Sequence, residues 1–299
     1  MKKINEQKVS IRDLPTYQKY LNALLRFFDE ICRKNDIQYS LAAGTLLGAI
    51  RHKDIIPWDD DLDVMMTRDN MEKLKIAMNN YSGRFYLQYL SNHSYKRGLS
   101  KDHYTVHWRI FDKKCSTFRY NIDIFPIDFL DSSVSDKEQL AIGKKYIRFF
   151  NYSPLFFSLH FPRIEKEHNI LKKMVNLFIY LIYPMLFIFS WTFTPIFTRR
   201  FLKFDNSLKQ KYGDKKFVGY APFLYGHFFD NDWFPFGKEY IEVEIKSKKY
   251  LSIGNYHSYL TALYGDYMIL PAENNREGHV FSIKCDLYLD DEIKLFLAD

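Results

Sequence analysis

The 299 residues encode an α+β domain: a mixed β-sheet flanked by helices and interrupted by a helical, apolar insertion with basic flanks. Three patterns predict it. Apolar residues recur at three- and four-residue steps in some segments and alternate with period two in others, while 174–198 runs for 25 residues without Asp, Glu, Lys, Arg or His. A composition of 47% hydrophobic, 18% aromatic and 26% charged residues supplies one large core or two modest ones, which excludes disordered, collagen-like and disulfide-scaffold chains.

In order along the chain, residues 13–35 place Leu14, Tyr17, Leu21, Leu24, Leu25, Phe28, Ile31 and Cys32 on one helical stripe. Tyr39 to Ala43 reads as a short buried strand closed by Gly44, and a helix follows from Thr45. After a loop with Pro57, Asp61-Leu-Asp-Val-Met-Met alternates as a strand, and Asp69 with Glu72 forms a capping box for a helix through about Met78. Further strands are expected at 85–90, 106–111 and 119–126, the last ending at Pro126, which cannot donate to a central ladder. Tyr240-Ile-Glu-Val-Glu-Ile reads as a strand, and 255–264 as a helix.

The formal charge of +7 is unevenly spread. Residues 137–216 hold 15 Lys and Arg against 5 Asp and Glu, a net of +10, so the remainder is acidic and shows no nucleic-acid-binding patch. As a straight helix 174–198 would reach about 37 Å, enough for a hydrocarbon core of roughly 30 Å. Pro184 and Pro195 interrupt it, and basic residues flank both ends, so both ends favour the same side of a membrane. The reading preferred on length is a re-entrant or interfacial hairpin bent near Pro184, with Lys144, Lys145, Arg148, Lys172, Lys173, Arg199, Arg200 and Lys203 at an anionic membrane surface. The alternative is a buried helix pair in a soluble protein. Three cysteines, Cys32, Cys115 and Cys285, are too scattered for a metal knuckle and odd in number, and the N-terminus has no apolar signal core. The expected location is the cytoplasmic side of the cell membrane, peripheral or monotopic.

The chemistry concentrates in carboxylates. Pro57-Trp-Asp-Asp-Asp-Leu-Asp-Val carries four acids in five positions, whose mutual repulsion calls for a hard divalent cation. On a strand Asp61 and Asp63 would share one face about 7 Å apart, suited to Mg2+ or Mn2+. Asp123, between Ile122 and Ile124, is a third acid on an apolar strand. Together with the Gly44-Thr45 turn, these resemble the nucleotidyltransferase superfamily pattern, in which strand-borne carboxylates gather metal under a nucleotide's phosphates.

A longer stretch carries a closer resemblance. Leu41-Ala-Ala-Gly-Thr-Leu-Leu-Gly-Ala-Ile-Arg-His-Lys-Asp-Ile-Ile-Pro-Trp-Asp-Asp-Asp-Leu-Asp-Val-Met-Met is similar, almost throughout, to the signature of the LicD family of phosphocholine transferases, to which the fukutin-related proteins are distantly related. Asn121-Ile-Asp-Ile-Phe-Pro-Ile-Asp resembles that family's second motif, and Tyr264-Gly-Asp-Tyr-Met-Ile-Leu-Pro with His279 its C-terminal one. The chain departs from the family at Arg109 and Cys115, where Lys and Thr are common, and at Asp54, where Gly is common.

The resemblance implies a nucleotidyltransferase-like fold with a catalytic core at 1–136, an insertion at 137–216, and a part at 217–299 completing the core. It also implies transfer of a phospho-alcohol, such as phosphocholine, from a CDP-linked donor such as CDP-choline to a hydroxyl of a cell-surface glycan or its lipid-linked precursor, with release of CMP. In that scheme Asp61 and Asp63 hold the metal, and Asp123 binds a second ion or accepts the hydroxyl proton. Gly44 and Thr45 present backbone N–H groups to phosphate at a helix N-terminus. Arg51 and Arg109 either fork onto phosphate or form ordinary ion pairs. His52 and His279 either contact phosphate and move protons or are structural, while Trp58, Trp108 and Trp233 either wall a quaternary ammonium or pack the core. Ribitol, glycerol or ethanolamine phosphate are alternative groups to transfer. An NTP-using nucleotidyltransferase, which would release pyrophosphate, is an alternative activity. A glycosyltransferase is disfavoured because only 60 residues precede Asp61, and a non-catalytic membrane scaffold would leave the three aspartates unexplained.

Overall fold

The computed structural model describes residues 7–90, 106–115, 121–130, 133–157, 185, 188–189, 192–208, 216–219, 239–276 and 285–297. Its centre is a mixed sheet whose strands run in the order β2 (Ser40–Leu41), β3 (Asp63–Thr67), β6 (Asn121–Leu130), β5 (Trp108–Asp112), β4 (Phe85–Gln88). Only β3 and β6 run parallel; their register sets Asp63 opposite Asp123, and β5 lies antiparallel on the other side of β6 with Arg109 opposite Asp123. The central strands bury both faces, which is why Val64, Met66, Ile110, Ile122 and Ile124 are completely enclosed and the runs read as almost continuously apolar.

Helix α1 (Leu14–Lys34) supplies the largest helical face of the core through Leu21, Leu24, Leu25 and Phe28, none of which is exposed. Asp13 caps it by accepting the Thr16 N–H at 2.8 Å, and Pro15 sits in its first turn, where a missing N–H costs nothing. Helix α2 (Ala43–Arg51) joins β2 to the aspartate loop. Gly44 therefore lies inside the first turn of a helix rather than closing a strand, because β2 is two residues long and Ala42 already takes the extended cap conformation.

Helix α3 (Arg68–Asn80) is capped by Thr67, whose hydroxyl accepts from Asn70, and not by the anticipated Asp69–Glu72 box. Thr67 is the last residue of β3, so its extended backbone already has the cap geometry and Asp69 falls within the first turn. Strand β6 likewise runs four residues past Pro126. The Asp123 N–H donates to Leu62 O on the β3 side, so by alternation the Pro126 nitrogen faces the opposite side. There β5 stops at Ile124, and β7 (Lys216–Gly219) begins only at Ile127, so no bond is lost.

The C-terminal elements return to this sheet. The hairpin of β8 (Tyr240–Ile245) and β9 (Lys248–Ile253) turns through Lys246 and Ser247, both at positive φ, the conformation a two-residue hairpin requires. It docks on β2: Ile253 N–H donates to Ser40 Oγ at 3.0 Å and Lys246 N–H to Lys53 O at 2.8 Å. Helix α6 (Tyr256–Tyr264) follows, and β10 (Cys285–Leu289) pairs with β1 (Gln7–Ile11) before helix α7 (Asp291–Leu297). Arg84, fully enclosed, clamps this layer by joining Asp112 on β5 to Asp290. Cys115 and Cys285, far apart in sequence, bring their thiol sulfurs within 2.8 Å of each other.

Beyond β6, helix α4 (Asp136–Phe157) packs on a helix over 192–208, α5, through Phe149 against Phe197, Phe201 and Phe204. Arg68 ties this pair to the sheet with Nε 2.7 Å from Asp128 on β6 and Nη1 2.7 Å from Asp205 on α5. Among the described residues no helix is long and apolar enough to cross a membrane. The anticipated bend at Pro184 and most of 174–198 lie outside the described residues.

Candidate active site

At the start of α2, Ala42 offers no capping side chain, Ala43 is held at φ 42°, and its N–H donates to Tyr259 Oη at 3.0 Å. A left-handed alanine costs on the order of 1 kcal/mol, and the buried Tyr259 bond holds it in place. Gly44 comes next, where an added Cβ would stand 2.6 Å from Asp59 Oδ2. The missing side chain thus lets a carboxylate approach the first turn of the helix. Thr45 Oγ1 accepts the Asp63 N–H at 2.8 Å and so fixes the entry to β3.

The loop carrying Asp59, Asp60 and Asp61 is pinned to α1 by Gln18, whose amide donates to Ile56 O at 2.9 Å and Asp59 O at 2.8 Å. Strand β3 begins at Asp63, so Asp61 lies on the lead-in to the strand and not within it. Asp63 is buried, and its carboxyl is pushed well above the ordinary range, first by burial and then by the negative charges of Asp61, Asp123 and Asp59. Asp123 goes the other way. Burial alone would raise its pKa, but Arg109 and His107 outweigh burial and hold it below the ordinary range.

Arg109 reaches Asp123 with Nε 2.5 Å from Oδ1 and Nη2 3.2 Å from Oδ2. Asn121 Nδ2 donates to the same Oδ1 at 2.5 Å, and His107 Nε2 lies 3.2 Å away while accepting from Arg109 Nε at 3.0 Å. His107 is buried and its pKa lowered, burial outweighing the Asp123 charge. Among the described residues no group of three His, Cys, Asp or Glu side chains is arranged to hold a metal ion. The donor chemistry nevertheless fits a hard dication: an enclosed Asp63 among like charges is what such an ion relieves, whereas the Asp123 oxygens are already shared by Arg109 and Asn121.

The opposite wall comes from the C-terminal part. Tyr264, 41% exposed at the end of α6, has its phenol pKa raised, first by desolvation and then by Tyr259, Asp63, Asp59 and Asp61, which sets it near the acidic cluster. Arg51 Nη1 donates to Tyr267 O at 2.8 Å and Ile269 O at 3.4 Å, fastening the loop after α6 to α2, and its Nε donates to His52 Nε2 at 3.0 Å. His52, with its pKa lowered by burial and then by Arg51, lies edge-on to Trp58 at 5.9 Å, and the Arg276 guanidinium stands 5.4 Å over the Trp58 ring.

The structure therefore gathers Gly44, Thr45, Asp61, Asp63, Asp123 and Arg109 at one place, with Arg51, His52 and Trp58 beside the loop after α6. Trp108 is half-buried on β5 and packs on Tyr89 at 5.0 Å. His279 and Trp233 lie outside the described residues. His107, Asn121, Tyr259 and Arg276 are additions. The alternations His107-Trp-Arg109 and Asn121-Ile-Asp123 were the available signal for the first two, since residues two apart share a strand face; nothing local marked the other pair.

Acids at the end of a parallel strand pair, facing a helix N-terminus and a guanidinium, define a transferase acting on phosphate esters. The family model described as "LicD/FKTN/FKRP, nucleotidyltransferase domain" matches residues 36–156. The lipopolysaccharide cholinephosphotransferase LicD of Haemophilus influenzae is 30% identical over 270 residues, covering 86% of this chain and 91% of that protein. An uncharacterized protein of Rickettsia prowazekii is 52% identical over 44 residues, 15% of this chain and 16% of its own. The chain belongs to the LicD family and is a phosphotransferase of LicD type.

Proposed function

We propose that the protein transfers phosphocholine from CDP-choline to a hydroxyl of a cell-surface glycan or its lipid-linked precursor, on the cytoplasmic side, and releases CMP. The observation that carries the reading is the register of Asp63 against Asp123 with Arg109 alongside, at the foot of α2. The phosphocholine donor and the glycan acceptor are inferred from the Haemophilus relative. Choline is taken over ribitol or glycerol from the same relative.

Asp61 and Asp63 would hold Mg2+ or Mn2+, which supplies charge neutralisation on the diphosphate. The remaining work falls to the chain's own groups. Gly44 and Thr45 lie in the first turn of α2, whose N-terminus attracts phosphate oxygens. Arg109 holds Asp123 ionised, so its carboxylate can accept a hydrogen bond from the acceptor hydroxyl and orient it for in-line attack on phosphorus, the proton passing to solvent. Arg51 keeps the loop after α6 closed over the site through two backbone carbonyls.

The test is incubation of the purified protein and Mg2+ with CDP-choline, CDP-ethanolamine, CDP-ribitol, CDP-glycerol and the four NTPs, following CMP and pyrophosphate with and without acceptor glycan. CMP formation from CDP-choline, lost in Asp61→Asn with the fold intact by circular dichroism, is expected. Pyrophosphate release from an NTP, or undiminished turnover by Asp61→Asn, would replace this reading.

A further inference from the structure

The α4–α5 pair carries a surface that phosphoryl transfer does not use. Between the helices lies a cavity of 810 Å³ whose floor is aromatic, with Phe149, Phe189 and Phe193. Its rim is cationic, with Lys145, Arg148, Arg200 and Lys203, all exposed, and no carboxylate is among the residues lining it. The nearby Asp205 is turned away into the Arg68 clamp. A second observation points the same way. Met185, Ile188, Phe189, Phe193 and Ile196 recur at helical spacing and remain 73%, 60%, 40%, 41% and 43% exposed, an apolar helix face bordering the cavity.

Charge selects the occupant. A free anion would satisfy the rim and leave the aromatic floor wet, whereas a neutral apolar partner would bury several cations without counter-charge. An acyl chain ending in a phosphate meets both demands, and an apolar helical face fringed by Lys and Arg is the arrangement that settles at headgroup depth on an anionic bilayer. We propose that the α4–α5 groove seats an anionic phospholipid of the membrane surface, its phosphate among Arg148, Arg200 and Lys203 and an acyl chain over Phe189 and Phe193. Because Arg68 joins α5 to β6, a lipid held there fixes how the catalytic sheet is presented to the membrane. The assignment does not depend on which phospho-alcohol is transferred.

The test is flotation of the full chain with vesicles of phosphatidylcholine alone or with about one-third phosphatidylglycerol. Two variants are compared: Arg148→Gln/Arg200→Gln/Lys203→Gln at the rim and Phe189→Ser/Phe193→Ser at the floor. All five positions are exposed, and unchanged circular dichroism and melting are the folding controls. Wild-type protein should float with the anionic vesicles and hardly with the neutral ones. Each basic residue near such a surface contributes about 1 kcal/mol, so the rim variant should partition on the order of 100-fold more weakly. The floor variant should lose roughly tenfold with its charge unchanged. Glycerol 3-phosphate should not displace the protein from vesicles. Displacement by it would mark a free-anion site and overturn the proposal. Equal flotation with neutral vesicles, or undiminished flotation of both variants, would assign membrane affinity to other parts of the chain and overturn it as well. Self-association abolished by the floor variant would give the face to a second copy instead.

Discussion

Replacing Arg84 by Met removes a buried cation while keeping most of the side-chain volume. The guanidinium is 1% exposed; Nε lies 3.0 Å from Asp112 Oδ1, Nη2 also binds Asp112, and Nη1 lies 2.8 Å from Asp290 Oδ1. Asp290 keeps Lys114 Nζ at 2.8 Å, so it retains a counter-charge. Asp112, with its side chain wholly enclosed, keeps only the Lys114 N–H among its bonds at 2.8 Å. Leaving one buried carboxylate uncompensated costs about 3–5 kcal/mol, a large share of a total stability of about 5–15 kcal/mol. The Asp112 carboxyl already sits above its ordinary range because burial outweighs Arg84, and losing Arg84 raises it further. A carboxyl whose folded pKa exceeds its unfolded value costs stability above the unfolded value, and that cost shrinks as pH falls. The variant's deficit in urea unfolding should therefore be smaller near pH 5 than near pH 7.5. Adding Asp112→Leu should recover most of the loss at the higher pH. A deficit below about 1 kcal/mol, or one indifferent to pH, would refute the view that this ion cluster is desolvated.

Other outcomes follow from the site. Thr45→Val keeps shape but strands the buried Asp63 N–H, so it should cost about 1–3 kcal/mol in unfolding and lower kcat more than it raises KM. Asp63→Asn removes a buried carboxylate that repels its neighbours, so with chelator present near pH 7.5 the variant should melt above wild type, by about 1.4 kcal/mol for each pKa unit relieved. That gain should vanish toward pH 4, where the wild-type carboxyl carries its proton, and added Mg2+ should stabilise wild type alone. Mild oxidation with copper phenanthroline should join Cys115 to Cys285, read as the loss of two hydrogens in the mass of a non-reduced digest. With 170 residues between them, the chain-entropy gain is about 5 kcal/mol.

Strand alternation made the carboxylates legible in the sequence, since Asp63 and Asp123 each sit between apolar residues that bury the opposite face of a central strand. The strand at 240–245 and the helix ending at Tyr264 were readable because their patterns are local, whereas the β9 partner of that strand was not read. Tertiary context displaced the rest. Asp69–Glu72 is a sound capping box by itself, yet Thr67 took the role because the strand before it dictated the backbone. Pro126 looked like a terminus because its tolerance depends on where two other strands stop. Arg51, read as a phosphate ligand or surface ion pair, spends Nη1 on the carbonyls of a loop more than two hundred residues away. Cys115 and Cys285 looked scattered only because the bridge between Cys115 and Leu287 on β10 is invisible along the chain.

The proline in the middle of β6 has a mechanical consequence. Ahead of it the strand is laced to β5, which presents Arg109, with His107 just before it; beyond it the lacing passes to β7, against which α4 rests. On this side one strand thus serves two ladders with a proline at the seam, while on its other side a single ladder to β3 runs unbroken from Asp123 to Ile127. Amide protons on β5 and β7 should then exchange on separate clocks, although both ladders hang from the same strand.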